Sequence, residues 1–280
     1  MRSFLLLLLF LLPLSTSAQE IKCKHFFMGE PEVVGWIPRD IIVRDCYAML
    51  PDPETKFAAW VAYRLTPHEV IGTLDLKRKW RADPWLPADM TLEPGPDDYK
   101  GASKLKYDRG HLAPLGSFKG SRFASQVNYY SNIVPQQSRL NQGPWRELET
   151  AVRDLVLQSG EVFVITGPLY EKDMPPLPNA DEPHIVPSGF WKIITVPEGF
   201  GLTIGVGAPY GPKAVGFIMS QDVDDYDSLR DFIVPIQEIE TRAEIRVFPE
   251  MLDSIRLIKG EVPWYWIDNK FLKGGYYNAN

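Results

Sequence analysis

The sequence contains few of the residues that most often bind transition metals. Its 280 residues include 2 cysteines and 4 histidines, and neither an H-E-x-x-H nor a C-x-x-C spacing occurs. A zinc site would require several such ligands at suitable spacings. A glycine-rich phosphate loop of the Walker type is also missing. These absences argue against a zinc enzyme and against a P-loop nucleotide-binding protein.

Long apolar runs are scarce, and the one that occurs lies at the start. Residues 4–14 are almost all Leu and Phe, with Met1-Arg2 before them and the small residues 15–18 after them. The run is about half of the ~20 residues that a membrane-spanning helix needs. It is typical of a signal peptide, here residues 1–18 with cleavage after about Ala18, and an uncleaved anchor is the alternative. We therefore expect an exported protein, periplasmic or secreted, whose mature form has no membrane partner.

The two cysteines, Cys23 and Cys46, follow this segment. Exported proteins fold in an oxidising compartment, where pairs of cysteines usually form disulfides. A Cys23–Cys46 disulfide is therefore predicted, and two unrelated buried thiols are the alternative.

The sequence also lacks an excess of positive charge, since its net charge is −6. This excludes a protein whose whole surface is basic for binding nucleic acid. Basic residues are nevertheless concentrated between positions 100 and 122, where one acid, Asp108, stands among Lys100, Lys104, Lys106, Arg109, Lys119 and Arg122. A site for a polyanion should therefore be local, unless this stretch is a solvated basic loop.

The pattern of short apolar runs and turn residues predicts an α+β fold. The 25 prolines are scattered, which favours short strands and loops over long helices. No linker divides the chain, so residues 19–280 should form a single domain. Strands are expected within 57–65, 105–115, 128–134, 161–166, 185–196, 201–206 and 215–219.

The clearest helix should begin at Pro144 and end at Gly160, because apolar residues recur between them at helical spacing. A second helix should cover 227–240, with a break near Pro235. The charged, tryptophan-containing segment 77–96 should be a long loop, and the aromatic tail 263–277 should pack on the body.

A group of polar residues stands out against this background. Asp108-Arg109-Gly110-His111 is expected at the end of a strand, and Asn141 is expected to open the long helix. Glu149 and Arg153 should then lie about 80° and 120° around that helix from Asn141, on its polar side. An ordinary solvated helix face with a Glu–Arg pair is the alternative interpretation.

Three sequence motifs, which follow one another along the chain, indicate a function for this group of polar residues. They are Tyr107-Asp108-Arg109-Gly110-His111-Leu112-Ala113-Pro114, then Ser131-Asn132-Ile133-Val134-Pro135-Gln136, then Leu140-Asn141-Gln142-Gly143-Pro144-Trp145-Arg146-Glu147-Leu148-Glu149. Together they closely resemble the DNA/RNA non-specific endonuclease family, the ββα-metal or His-Me finger nucleases that include endonuclease G. The resemblance covers most of the mature chain and is firmest from about 104 to 170. It implies a strand–strand–helix finger, at about 104–158, on one side of a central, mostly antiparallel sheet.

The resemblance also implies a role for each matched residue. His111 would be the general base, and Asn141 the one direct protein ligand of the metal. Glu149 would hold a metal-bound water, while Arg109 and Arg153 would neutralise charge on the phosphate. Supporting positions that shape the site would be Asp108, Asn132 and Gln136.

Phosphodiester hydrolysis needs parts of this kind: a base for water, stabilisation of charge on phosphorus and help for the leaving oxygen. A neutral imidazole can accept the proton of water. Mg²⁺, or Mn²⁺ in its place, keeps much of its hydration shell, so one amide ligand plus waters is a reasonable set. Since every implied catalytic group addresses phosphate or metal, both DNA and RNA are expected substrates.

Some features leave alternatives open. The segments 115–118 and 128–130 depart from the pattern frequent in the family. The resemblance therefore leaves substrate preference and local loop shape open. An exported nucleic-acid-binding protein with weak or no catalysis is one rival, and a phosphodiesterase for small nucleotides is another. A homodimer is also open, since some relatives dimerise. Trp80 and other tryptophans are expected in packing rather than in stacking on bases.

Overall fold

The computed structural model describes residues 22–35, 40–74, 78–95, 97–197, 212–223 and 228–251. The expected signal peptide, the candidate strand 201–206 and the aromatic tail 263–277 lie outside these residues. Within them, no helix is long and apolar enough to cross a membrane.

The described residues form eleven strands and four α-helices. The strands are β1 (Glu32–Val33), β2 (Ile42–Val43), β3 (Ala48–Pro51), β4 (Ala58–Leu65), β5 (Tyr107–His111), β6 (Ile133–Gln137), β7 (Val162–Leu169), β8 (Gly189–Val196), β9 (Lys213–Ser220), β10 (Ile233–Val234) and β11 (Ile245–Arg246). The helices are α1 (Pro67–Val70), α2 (Ser138–Gln142), α3 (Pro144–Ser159) and α4 (Ile236–Arg242). Short 3₁₀ turns cover Ala88–Met90, Ala102–Leu105, Leu115–Phe118, Ala124–Asn128, Tyr130–Asn132 and Leu229–Phe232.

Seven strands make the central sheet, in the order β10-β9-β8-β7-β4-β3-β2. Every neighbouring pair in it is antiparallel. The predicted class, α+β with a mostly antiparallel central sheet, is therefore confirmed. Two-stranded ladders join β5 to β6 and β1 to β11 outside this sheet.

Both faces of the central sheet are covered. Alternate side chains of a strand point to opposite faces, and in β4 the buried Val61 and Tyr63 pack in one apolar cluster while Trp60 and Ala62 pack in another. Helix α3 and the β5–β6 ladder lie in the first cluster, and α4 lies in the second. Because both faces are buried, the sequences of the central strands are nearly continuous apolar runs.

The β5–β6 ladder and the helices after it form the predicted strand–strand–helix finger. β5 and β6 pair antiparallel, with His111 opposite Ile133 and Asp108 opposite Gln136. α3 buries an apolar stripe against the sheet, consisting of Trp145, Leu148, Ala151, Val152, Leu155 and Val156. Burial of each large side chain contributes about 1.5–3 kcal/mol, so the stripe fixes the helix firmly to the sheet.

One prediction about this finger is wrong: Asn141 does not open the long helix. It lies in the short helix α2, and Gly143 separates α2 from α3. A Cβ at Gly143 would stand 2.5 Å from the carbonyl oxygen of Arg139, so the chain turns too tightly there for a side chain. The angles of 80° and 120° therefore do not apply, and the approach of Asn141 to the polar side of α3 has another cause.

Other boundaries differ in smaller ways. The strand expected at 185–196 begins only at Gly189, and the segment 128–132 forms 3₁₀ turns before β6. The helix expected over 227–240 begins after Pro235, as α4. The long loop over 77–96 is confirmed for its described part, since its one helical piece there is the turn Ala88–Met90.

The predicted Cys23–Cys46 disulfide is wrong, because both residues are free thiols. Cys46 is buried in the apolar cluster with α3, and Cys23 packs against the cluster on the opposite face of the sheet. Shared exposure to an oxidising compartment does not by itself bring two thiols into the specific geometry that a disulfide requires.

The finger contains a second position, in β5, that tolerates no side chain. Gly110 lies in β5 between Arg109 and His111, and a Cβ there would stand 2.4 Å from Oε1 and 2.8 Å from Cβ of Gln136. Gln136 is itself buried, so it cannot swing away. Gln136, which was predicted to support the site, therefore packs directly behind the strand that carries His111.

We expect Gly110→Ala to lower the free energy of unfolding by about 1–3 kcal/mol, because β5 and β6 must separate to admit the methyl group. Urea unfolding followed by tryptophan fluorescence would measure this. The matched control is Gly95→Ala, whose Cβ would meet nothing within 4 Å. Equal stability of the two variants would contradict the close contact.

Candidate active site

The finger and the loop before it enclose a cavity of about 650 Å³. Its walls come from β5, α2, the start of α3 and the segment 78–118. The lining residues are Arg78, Trp80, Tyr99, Ala102, Ser103, Tyr107, Asp108, Arg109, His111, Pro114, Leu115, Gly116, Asn141, Gln142, Arg146 and Glu149. Of the eight predicted site residues, the cavity thus brings together Asp108, Arg109, His111, Asn141 and Glu149.

The carboxylate of Asp108 joins β5 to α2. It accepts hydrogen bonds from Ser138 Oγ at 2.8 Å, Asn141 Nδ2 at 2.9 Å and Gln142 Nε2 at 2.8 Å. Asn141 therefore reaches the cavity through this bond and not through a helix shared with Glu149. Because the amide nitrogen faces Asp108, the amide oxygen of Asn141 points the other way and is available as a ligand.

His111 lies at the end of β5, and its hydrogen bond to Asn128 determines which ring nitrogen carries the proton. Nε2 of His111 is 3.0 Å from Oδ1 of Asn128, an acceptor, so Nε2 carries the proton and Nδ1 keeps its lone pair. Burial lowers the pKa of His111 to about 4, which the Asn128 hydrogen bond partly opposes. The ring of Trp80 lies 5.3 Å away at 36°. The imidazole is therefore neutral at ordinary pH.

Asn132 shapes the turn that follows His111. Its side chain is buried, donates to the carbonyls of Ala113 at 3.0 Å and Val127 at 2.8 Å, and accepts from the Ala113 N–H at 2.9 Å. These bonds tie the chain after His111 to the segment that ends at Asn128. The predicted supporting position of Asn132 is therefore behind the site, and it does not line the cavity.

Arg109 is held in place by a partner that the sequence did not indicate. Its Nη2 donates to both carboxylate oxygens of Asp97, at 2.7 and 2.6 Å, and its Nε donates to the Tyr130 hydroxyl at 3.1 Å. The guanidinium also lies 5.6 Å from the Trp80 ring and 5.2 Å from the Tyr99 ring. These contacts fix a half-buried positive charge at the cavity wall.

Glu149 and Arg153 lie one turn apart on α3, but they form no direct salt bridge. Arg153 Nη2 donates to Thr150 Oγ1 at 2.7 Å, and the guanidinium extends towards Gly116. Glu149 lines the cavity. Burial raises the pKa of Glu149, while the positive charges of Lys192, Arg153 and Arg78 oppose that rise. Glu149 and Arg153 are therefore not the ordinary surface ion pair that was the alternative interpretation.

Lys192 is the unexpected charge near the site. It lies in β8, has 0% exposure, and its Nζ has no hydrogen-bond partner. The ammonium lies 4.3 Å from the centroid of the Trp145 ring. Burial lowers the pKa of Lys192 to about 8, and the negative charge of Glu149 works against this fall. A charged residue within the apolar run Phe190-Trp191-Lys192-Ile193-Ile194 was the one signal in the sequence that could have revealed it.

The positive charge of the cavity comes mostly from outside the predicted basic stretch. Of its six basic residues, Arg109 alone lines the cavity, together with Arg78 and Arg146. The prediction of a local polyanion site is consistent with this arrangement, but none of the four lysines that suggested it lines the cavity.

The donor set of the cavity fits a hard divalent cation. The Asn141 amide oxygen is available, and the Glu149 carboxylate lines the same cavity. His111 is the one histidine among the lining residues, which include no cysteine. Oxygen donors of this kind suit Mg²⁺ and not zinc.

Two comparisons with known sequences give the same result. The DNA/RNA non-specific endonuclease family matches residues 30–254. The chain is 38% identical over 219 residues to a nuclease of Serratia marcescens, which covers 77% of this chain and 77% of the relative. It is 31% identical over 223 residues to mitochondrial endonuclease G of Homo sapiens, which covers 75% of this chain and 69% of the relative.

A solved structure agrees at the level of the fold. The chain described under "Crystal structure of the EndoG/EndoGI complex" is similar with a TM-score of 0.65 and 22% identity, over 82% of this chain and 91% of that chain. At that identity the likeness shows the fold alone. The sequence matches carry the assignment further: this chain belongs to the DNA/RNA non-specific endonuclease family.

Proposed function

We propose that this protein is a Mg²⁺-dependent endonuclease that hydrolyses the phosphodiester bonds of both DNA and RNA. The observation that carries the proposal is the pairing of His111 and Asn141 across one cavity. The imidazole is neutral with its proton on Nε2, and the Asp108 carboxylate turns the Asn141 amide oxygen away from itself.

In this proposal His111 is the general base. Its Nδ1 accepts a proton from the attacking water, while the Nε2–H bond to Asn128 keeps the ring oriented and stabilises the imidazolium that forms. The low pKa favours the free-base form before the reaction. Water attacks phosphorus, and the bond to the leaving 3′ oxygen breaks.

Asn141 would hold a hydrated Mg²⁺, and Glu149 would accept a hydrogen bond from one of its waters. When bound, the cation would supply Lewis-acid stabilisation of the phosphate and of the leaving oxygen, and Mn²⁺ could replace it.

The arginines of the cavity would bind and stabilise the phosphate. Arg109 is fixed by Asp97, and Arg78 and Arg146 add positive charge at the wall. Arg153 would add charge from behind Glu149. These groups contact the sugar–phosphate backbone, which carries no sequence information, so cleavage should depend little on sequence and should weaken as salt increases.

Lys192 would act on this site through Glu149. A buried carboxylate without a nearby cation takes up a proton, and a neutral carboxyl is a poorer acceptor for a water bound to a metal. The Lys192 ammonium favours the ionised form of Glu149. We propose that Lys192 is a positioning residue of the nuclease site.

Export after cleavage near Ala18 is proposed from the character of residues 1–18. A homodimer is proposed only by resemblance to relatives that dimerise. Neither affects the chemistry of the cavity.

The first experiment tests the reaction. Purified protein should degrade plasmid DNA and total RNA with Mg²⁺ and stop when EDTA is added. His111→Ala should lower kcat by at least about 100-fold, as expected for loss of a general base, while DNA binding is retained. The control is His68→Ala, an exposed histidine of α1.

Four results would oppose the proposal. Full activity in EDTA would contradict the requirement for a metal ion. Near-normal activity of His111→Ala would contradict the assignment of His111 as the general base. DNA binding without cleavage by the unaltered protein would favour the non-catalytic rival. Equal efficiency on a dinucleotide and a long polymer would instead favour the small-nucleotide phosphodiesterase.

The second experiment tests Lys192. Lys192→Met keeps the shape but removes a buried charge that has no hydrogen-bond partner, so thermal stability should be equal or higher. The activity at pH 7 should fall about ten-fold, and the acidic limb of the pH–rate profile should move to higher pH, because the pKa of Glu149 rises. Lys24→Met, at an exposed site, is the control. An unchanged pH profile with normal activity would contradict the role.

A further inference from the structure

A second group of acidic residues lies outside the nuclease cavity. Asp98, Asp181 and Glu182 each place one carboxylate oxygen within 4.8 Å of those of the other two. They come from two segments that are far apart in sequence, and none of them lines the cavity. The neighbouring bond from Asn179 Nδ2 to the carbonyl of Lys100 shows that these two segments pack together.

The group contains polar atoms that the protein leaves unsatisfied. Asp98 has 0% exposure, and its Oδ2 accepts the N–H of Glu93 while its Oδ1 has no hydrogen-bond partner. Oε2 of Glu182 is likewise buried without a partner. Burial raises the pKa of Asp98 and of Glu182, as expected for carboxylates away from water and close to other acids.

The described part of the chain gives this negative charge no Lys or Arg partner. Among the described residues, Asp98, Asp181 and Glu182 form no salt bridge with Lys or Arg. An unpaired buried carboxylate is costly, and natural proteins usually give such a group a hydrogen bond, a proton or a metal ion. The buried and unpartnered oxygen of Asp98 is therefore free to bind a cation.

The donors identify the kind of ion. His184 lies nearby, but its Nε2 accepts the Leu177 N–H at 2.9 Å and its Nδ1 is 2.9 Å from the carbonyl of Glu182. Both ring nitrogens are thus already used, and the site offers oxygen alone. Oxygen-only sites suit Ca²⁺ or Mg²⁺ and not zinc.

The loop setting of the three carboxylates favours the larger ion. Two oxygens bound to one Ca²⁺ at about 2.3–2.6 Å can be up to about 5 Å apart, whereas Mg²⁺ at about 2.1 Å permits only about 4 Å. The three oxygens lie within 4.8 Å of one another, which is inside the range that Ca²⁺ spans. Calcium also accepts the irregular geometry that loop residues provide.

We propose that Asp98, Asp181 and Glu182 form a structural Ca²⁺ site, separate from the catalytic cavity. Bound Ca²⁺ would join the segment that ends at Asp98 to the segment around Glu182. Asp97, the neighbour of Asp98, holds Arg109 through two hydrogen bonds. The ion would thereby steady one wall of the nuclease cavity from outside.

The experiment measures thermal stability of the full protein with and without CaCl₂, in the absence of nucleic acid. After EDTA treatment and dialysis, saturating Ca²⁺ should raise Tm by about 5 °C, and calorimetric titration should show a Kd of about 0.1–1 mM. Asp181→Asn/Glu182→Gln should abolish the Tm shift. Both altered residues are at least partly exposed, so the fold should survive.

The matched control is Asp173→Asn/Glu54→Gln, which removes the same charge from two exposed positions. It should keep the full Tm shift. If the double variant of the cluster proves unstable, Asp181→Asn alone should weaken Ca²⁺ binding about ten-fold.

Absence of a Ca²⁺ effect on the unaltered protein would overturn the proposal. An undiminished shift in the cluster variants would also overturn it, because the ion would then bind elsewhere, for example beside Asn141. Neither measurement uses nuclease activity, so failure of the proposed reaction would be recognised separately.

Discussion

The arrangement of the active site depends on the carboxylate of Asp108. Three donors from α2 converge on this one group of β5, so the short helix is fixed to the strand that ends at His111. The same contacts orient the Asn141 amide. Because α2 and α3 are separated at Gly143, α3 alone could not place Asn141 beside His111. Hydrogen bonds between β5 and α2 therefore position Asn141, whereas the sequence suggested that the periodicity of the long helix would do so.

The electrostatics of the cavity follow from burial in combination with a few fixed charges. Burial keeps His111 neutral, whereas it works against the ionised form of Glu149. The Lys192 ammonium, supported by the Trp145 ring, offsets that second effect from inside the protein. Arg109 is fixed by Asp97 instead of moving freely. An acidic protein can in this way present a positive site of limited size to a polyanion.

The sequence predicts the parts of the site that lie within short motifs. Asp108, Arg109 and His111 share β5, and their close placement follows from a five-residue strand. Asn128 and Asp97 were not predicted as partners of His111 and Arg109, because turns that no periodicity describes bring them together. Lys192 was missed because its approach to Glu149 depends on how α3 packs on the sheet. The disulfide prediction failed for a similar reason, since it took no account of which face of the sheet each cysteine occupies.

The central claim is that Asn141 holds the catalytic cation opposite the free nitrogen of His111. Crystals of the protein grown with Mn²⁺ would test it directly, because anomalous scattering locates Mn²⁺ without reference to any assumed ligand. The account predicts a peak within coordination distance of the Asn141 amide oxygen, with waters between the ion and Glu149 and with His111 Nδ1 facing the same space. A cavity without such a peak, in crystals whose protein is active with Mn²⁺, would contradict the account.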